Sequence, residues 1–359
     1  MQAKVRTINF EGQNIFIGID VHSKNWTITV MTENSLRKRF SQDPSSEGLR
    51  NYLDRNFPGG TYYSAYEAGF CGFSVHRELE GCGIHNLVVN PADIPTTDKE
   101  RKQKEDRRDS QKIARSLKNG ELAGIYVPTR AMEELRSLIR YRKTLVKEIS
   151  RHKTRIKSYL HCNGVPVPAA LSGASRHWSG KFTMWLETIR FTTPYGNMVL
   201  EGTLSTVKHL RSGLLKVDRE LRKLEKEGEC SFYIKLLRSI PGIGLIVAVT
   251  LLSELEDINR FKNLDQLCSF VGLVPRTNSS GENERTGGIT PRANKPLRNL
   301  ITEAAWIASR NDPALAQCYI ELCKRMKPTK AIVRIAKKLL SRIRYVMKNE
   351  KEYVHSVVQ

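Results

Sequence analysis

Four carboxylates in this sequence stand where acids are expensive to place without a purpose. Asp20 closes an apolar run in Phe16-Ile17-Gly18-Ile19-Asp20-Val21, and Glu67 closes a second in Tyr66-Glu67-Ala68-Gly69. A carboxylate at the tip of a buried strand costs free energy unless a cation or a donor meets it. Asp106 and Asp109 are three residues apart in Lys104-Glu105-Asp106-Arg107-Arg108-Asp109, a spacing that puts both on one face of a helix. Taken singly, each acid reads as an ordinary strand-end or helix N-terminal charge. Together they form a set of hard oxygen donors. Such a set suits Mg²⁺, which keeps some waters for substrate phosphates.

Two further motifs lie in the C-terminal third. Ser239-Ile240-Pro241-Gly242-Ile243-Gly244 precedes an apolar stretch from Leu245 to Glu254. A tight Pro-Gly-x-Gly turn opening a helix offers backbone N–H groups to a phosphate, although an ordinary helix-to-helix turn has the same composition. Phe270-Val271-Gly272-Leu273-Val274-Pro275 leads to Asn278-Ser279-Ser280-Gly281 and then to Arg285-Thr286-Gly287-Gly288-Ile289-Thr290. From the residues alone, Ser-Ser-Gly is a loop. No strand pattern precedes it and no His–Asp pair is spaced to serve it, so Ser280 has no role at this level.

The elements that must position these residues follow from periodicity. Ile15–Val21 reads as a buried strand, Trp26–Met31 as an alternating one and Leu36–Ser41 as a third. A helix is expected over 45–56, ended by Pro58-Gly59-Gly60. Then come a strand over 62–66, a helix over 72–80, a strand over 85–89, a helix over 106–119 and a short extended piece over 125–127. Three strands and a helix followed by strand, helix, strand and helix is the order of a ribonuclease-H-like α/β domain. Residues 132–160 turn helical, with Leu135, Leu138, Ile139, Leu145, Val146, Ile149, Ile156 and Leu160 at three- and four-residue spacings. After a Gly/Pro/Ser-rich break, Val207, Leu210, Leu214, Val217, Leu221 and Leu224 form a coiled-coil-type seam. Its partner is either the first long helix or a second copy of the chain. The last third is expected to be all-α around a Gly-rich loop. Its final helix carries Arg334, Lys337, Lys338, Arg342 and Arg344 opposite an apolar face.

The 359 residues hold 59 Lys and Arg against 37 Asp and Glu, a formal charge of +22. A field that positive attracts polyanions, and the apolar stripes here read as packing seams rather than membrane-facing surfaces. Nucleic acid is the expected partner. No apolar run approaches the roughly 20 residues of a bilayer helix and no secretory leader is apparent. The seven cysteines form no CxxC pair, so a reduced, cytoplasmic protein is expected, nucleoid-associated if it binds DNA.

In this order and spacing the motifs resemble the DEDD transposases of bacterial insertion sequences, the group that includes the Piv-type DNA invertases and the bridge-RNA-guided recombinases. Val88-Val89-Asn90-Pro91, Gly272-Leu273-Val274-Pro275 and Gly287-Gly288-Ile289-Thr290 add to the resemblance, which covers nearly the whole chain. It implies a RuvC-like domain over 12–128, a helical coiled-coil and dimerisation region over 129–232 and a helical transposase domain over 233–350. It assigns Asp20, Glu67, Asp106 and Asp109 as Mg²⁺-binding catalytic acids and Ser280 as a nucleophile that forms a covalent phosphoserine link to DNA. Ser279 beside it is the alternative. The acids are supplied by a partner subunit, which makes the working particle a dimer or tetramer. Members nearest the guided recombinases also bind a structured RNA from their own element. Ser110 departs from the small apolar residue common at that position.

The implied chemistry suits the residues. A neutral serine needs activation to attack a phosphodiester, and Mg²⁺ can stabilise the charge that develops. Lys104, Arg107, Arg108, Gly242, Gly244, Arg285, Arg292 and Lys295 are the expected nucleic-acid contacts. Two rival readings remain at this level. One is a hydrolytic, resolvase-like nuclease that uses the acid cluster alone, and the other is a non-catalytic nucleic-acid scaffold.

Overall fold

The structure, a computed structural model, describes residues 9–95, 106–173, 177–280 and 283–355. At residues 106, 107, 277–280 and 283–286 the description is of the backbone. The chain forms two compact units, Met1–Val127 and Pro128–Gln359.

The first unit is built on a five-stranded sheet of order β3-β2-β1-β4-β5. Its strands are β1 (Asn14–Val21), β2 (Trp26–Thr32), β3 (Leu36–Gln42), β4 (Thr61–Glu67) and β5 (His85–Val89). The first three are antiparallel neighbours, whereas β1, β4 and β5 run parallel. Alternation along β1 divides the sheet. Ile15, Ile17 and Ile19 are fully buried on one face with Leu49, Leu53 and Leu79 of α1 (Ser46–Asn56) and α2 (Ser74–Gly81). The opposite face carries Gly18 and Asp20 and is covered by α3 (Asp106–Lys118). The short piece over 125–127 adds no strand to the sheet. A single antiparallel bridge joins Val89 to Gly124, and Ile125 N–H donates to Val88 O at 2.7 Å; three residues between Gly124 and Pro128 are too few for a ladder.

The second unit begins with α4 (Arg130–Cys162), whose first turn is capped by Thr129 accepting from Met132 N–H. Next come α5 (Gly180–Thr188) and α6 (Pro194–Lys226). The 207–224 seam packs on α4 of the same chain, which answers the question of its partner within this protomer. The pair bridges two cores. Ile156, Leu160, Leu200, Leu204 and Val207 close one end around Phe182 and Leu186 of α5, while Leu145, Val217 and Leu221 join the larger core at the other.

That larger core is formed by α7 (Cys230–Arg238), α8 (Leu245–Leu255), α9 (Leu264–Val271), α10 (Lys295–Asn311), α11 (Pro313–Arg325) and α12 (Pro328–Asn349). The expectation of an all-α C-terminal region is corrected by a two-stranded sheet, β6 (Pro275–Ser280) with β7 (Asn283–Ile289). The reason it was not legible is compositional. Pro-Arg-Thr-Asn-Ser-Ser and Asn-Glu-Arg-Thr-Gly-Gly-Ile have no apolar face to alternate, and alternation is the strand signal. Among the described residues, no helix is long and apolar enough to cross a membrane.

Candidate active site

Register places two of the acids side by side. Gly18 pairs with Ala65 and Ile19 with Tyr66 across the parallel β1–β4 ladder, so the next pair along is Asp20 and Glu67. Both stand at the C-terminal ends of their strands, both are half-buried, and in-register residues share a sheet face. Asp20 is additionally 3.2 Å from Nε2 of His22 through its Oδ2. His22 was assigned no role from the sequence, although its i+2 position on a strand end was the available signal.

The helix above this edge is seated by a missing side chain. A Cβ on Gly18 would overlap the Ser110 carbonyl and stand 2.5 Å from Ala114 N, so α3 lies directly on β1 because residue 18 is glycine. Ser110 is fully buried, and its hydroxyl is 2.9 Å from that of Thr29, the residue paired with Gly18. A buried hydroxyl at this position is therefore satisfied rather than costly. At the far end Lys118 donates to Glu33 O at 3.3 Å, near the start of β1, where Ile15 pairs with Thr32. The N-terminal end of α3, with Asp106 as its first residue and Asp109 half-buried one turn on, therefore lies toward the Asp20 end.

An all-carboxylate set of this kind fits a hard divalent cation, and a helix N-terminus adds a favourable field for the acids themselves. Among the described residues, no three His, Cys, Asp or Glu side chains are close enough together to hold a metal ion. The Asp106 side chain is outside that set.

Ser280 is the last residue of β6 and pairs with Asn283, and Ser279 pairs with Glu284; the side chains of Ser279, Ser280 and Arg285 lie outside the described ones. The base of this ribbon is clamped. Arg298 on α10 donates to Thr290 O at 2.8 Å and to Gly272 O at 3.4 Å, tying the residues before β6 and after β7 to one guanidinium. Gly272 caps α9 in the left-handed region at φ 85°, and a Cβ there would run into Ala293, 3.0 Å from its Cα. Asn294 caps α10 and also donates to Glu254 Oε2 at 3.0 Å. Arg298 and Asn294 belong to no motif that would mark them in the sequence.

The Pro-Gly-Ile-Gly segment does join two helices, α7 and α8. Gly242 is needed there for packing: its φ is 88°, and a Cβ would crowd Ala308 N at 3.0 Å on α10. Gly244 is the exposed N-cap of α8 and provides no side-chain cap, which leaves the first amides of that helix for another acceptor. Arg108, Arg292 and Lys295 are exposed. The Arg107 side chain and all of Lys104 lie outside the described residues. On the long pair, burial first, and then the nearby Arg211 and Lys157, hold the Lys153 pKa below its usual range.

Comparison with known proteins finds transposase matches in both halves of the chain. A transposase family model of the DEDD IS110 type matches residues 17–162, and a model described as the IS116/IS110/IS902 transposase family matches residues 234–320. The Sinorhizobium fredii protein y4qE, which carries a provisional transposase name, is 29% identical over 295 residues, covering 81% of this chain and 71% of that one. The transposase for insertion sequence element IS1533 of Leptospira borgpetersenii is 23% identical over 305 residues, covering 82% and 85%. The transposase for insertion sequence element IS1111A of Coxiella burnetii is 27% identical over 237 residues, covering 66% and 63%.

Proposed function

We propose that this chain, which belongs to the IS110/IS116 family of insertion-sequence transposases, recombines DNA through a covalent phosphoserine intermediate. A transposase of this family acts on DNA, and the finer reading concerns how. Ser280 attacks a phosphodiester: its Oγ–P bond forms, the P–O bond to the departing strand breaks, the serine proton passes to a neighbouring base, and the departing oxygen takes up a proton. The phosphoserine keeps the energy of the broken bond. A second strand's hydroxyl can therefore reverse the step and join without an external energy source.

The acids act at the other side of the same reaction. Asp20, Glu67, Asp106 and Asp109 would hold Mg²⁺, which supplies charge stabilisation to the phosphate oxygens. His22 holds the Asp20 carboxylate in position. Lys104, Arg107, Arg108, Arg285, Arg292 and Lys295 neutralise backbone phosphates, and the open amides after Gly244 donate to another. The particle is a dimer or tetramer in which one copy's acids serve another's serine. A structured guide RNA from the element selects the sites by base pairing, consistent with a protein whose charge suits backbone contacts. The work takes place in the cytoplasm, at the nucleoid.

The observation that carries the acid half of this reading is the position of Asp20 and Glu67 on adjacent parallel strand ends beneath α3, while the serine half rests on the transposase match over residues 234–320, which contains Ser280. The test is trapping of an SDS-resistant protein–DNA adduct from purified protein, element-derived RNA, labelled donor and target DNA and Mg²⁺. The adduct is expected in the unaltered chain and in Ser279→Ala and absent in Ser280→Ala. Nicked DNA without an adduct, unchanged by Ser280→Ala, would replace this reading with a hydrolytic nuclease.

A further inference from the structure

A cleft of about 760 Å³ opens between the base of the β6–β7 ribbon and α12, and neither the acid edge nor the Pro-Gly-Ile-Gly turn uses it. Its two walls differ in kind. On the α12 side Lys330, Arg334, Lys337, Lys338 and Ser341 fall at steps of three, four and seven and so form one stripe of the helix. Lys337 is 3.0 Å from Asp265 Oδ1. Lys330, Arg334 and Lys338 are exposed, and no ion pair to a described residue engages them. Opposite them the wall is backbone-rich, with Pro275, Gly287 and Gly288. A Cβ on Gly288 would meet nothing within 4 Å, so this wall is open by composition. The floor is apolar, from Leu264, Val274, Ile289 and Val333.

We propose that this cleft is a binding site for an unpaired DNA strand that leads to Ser280; the location of the reacting phosphate in this statement rests on the phosphoserine reading above. Three features select the occupant. The cationic stripe is complementary to phosphates. It spans residues 330 to 341, about 16 Å along the helix, the reach of several phosphates of one strand. The apolar floor has nothing to offer a duplex, whose exterior is phosphate and groove edge. An unpaired strand turns sugar and base faces to such a surface. Finally, β6 starts at the cleft, with Pro275 in its lining. From Pro275 to Ser280 the strand advances by roughly 17 Å, so a strand held at the cleft reaches the serine within a few nucleotides.

The experiment is fluorescence anisotropy on the full-length protein with a labelled 12-nucleotide oligo-dT, the corresponding 12-base-pair duplex and a 12-nucleotide oligo-U. The variants are Lys330→Glu/Arg334→Glu/Lys338→Glu, a milder Arg334→Gln/Lys338→Gln and, on the opposite wall, Gly288→Glu. All are exposed positions, and thermal unfolding checks that each folds. The expected result is at least a 10-fold weakening of oligo-dT binding in the triple variant and a smaller loss in the other two, with duplex binding changed less than 3-fold. Equal losses for oligo-dT and duplex, or no loss at all, would overturn the proposal, and tighter binding of oligo-U through the same residues would overturn its assignment to DNA. Because binding is read without chemistry, the two readings fail separately. Weakened binding in the variants with no adduct from the unaltered protein would sink the serine, whereas a wild-type adduct with binding unchanged in the variants would sink the cleft.

Discussion

The acid edge and the serine ribbon are constructed by opposite means. Asp20 and Glu67 emerge from strands whose neighbours Ile19 and Tyr66 are fully buried, under a helix that rests on bare backbone at Gly18. Their position is over-determined by a packed core, in which displacement of any wall costs dispersion contacts. Ser280 sits on a two-stranded ribbon with polar sequence and no third strand, held at its base by Arg298, Gly272 and Asn294. A two-stranded ribbon has little stability of its own. The acids are thus positioned by burial and the serine by a clamp, so equivalent damage to each should be felt in different measurements.

The largest difference is expected in chemistry. Asp20→Asn should lower strand cleavage by about 10³-fold, the equivalent of several kcal/mol of charge stabilisation, while thermal unfolding stays unchanged; retained cleavage would remove the acid edge from the reaction. Stability should separate the regions next. Gly18→Ala forces α3 off β1 and should cost about 2–3 kcal/mol, whereas Gly288→Ala, with open space around its Cβ, should cost less than about 0.5 kcal/mol. Chemical denaturation of the two variants makes the comparison, and equal losses would erase it.

Arg298→Ala should show a mixed signature. Loss of the clamp is expected to lower adduct formation by about 10-fold, with a stability change of about 1 kcal/mol, and Arg298→Lys should restore part of it. A variant that lost stability in proportion to activity would place Arg298 among ordinary core supports. Outside both regions stands Tyr353→Phe. The buried Asp312 carboxylate accepts from Tyr353 Oη at 2.6 Å and from Leu315 N–H at 2.8 Å and pairs with Arg342 at 3.0 Å. Burial alone would raise its pKa, but these partners outweigh burial and hold it below the usual value. A depressed folded-state pKa stabilises above the unfolded carboxylate range and loses that contribution as pH falls through the folded value. Tyr353→Phe should therefore cost about 1.5 kcal/mol at neutral pH and less under acid conditions, with adduct formation unaffected.

The same contrast explains what could be read from the sequence. The strands of the first unit are legible because Ile15, Ile17 and Ile19 alternate against a core, and the acids are legible because a charge at the end of such a run is conspicuous. The long helices α4, α6 and α12 declare themselves through three- and four-residue spacing, whereas the nine-residue α5 does not. The β6–β7 ribbon is not legible, since an exposed polar pair carries no periodic apolar signal. Arg298 and Asn294 are equally silent, because their partners are carbonyls and a carboxylate far along the chain. Gly18 stood in plain view, but its purpose depends on Ser110, ninety-two residues later, and such a close approach has no local signature.

The paired α4 and α6 have a consequence in terms of length. Each has 33 residues, so each rod extends about 50 Å at 1.5 Å per residue, with a small core at one end and the main core at the other. A rod anchored at both ends behaves as a ruler. Removing seven residues from each helix would shorten it by about 10 Å and keep its seam in phase, whereas removing four or five would rotate one end against the other. The spacing between whatever the two ends touch is therefore written in the chain in units of the heptad.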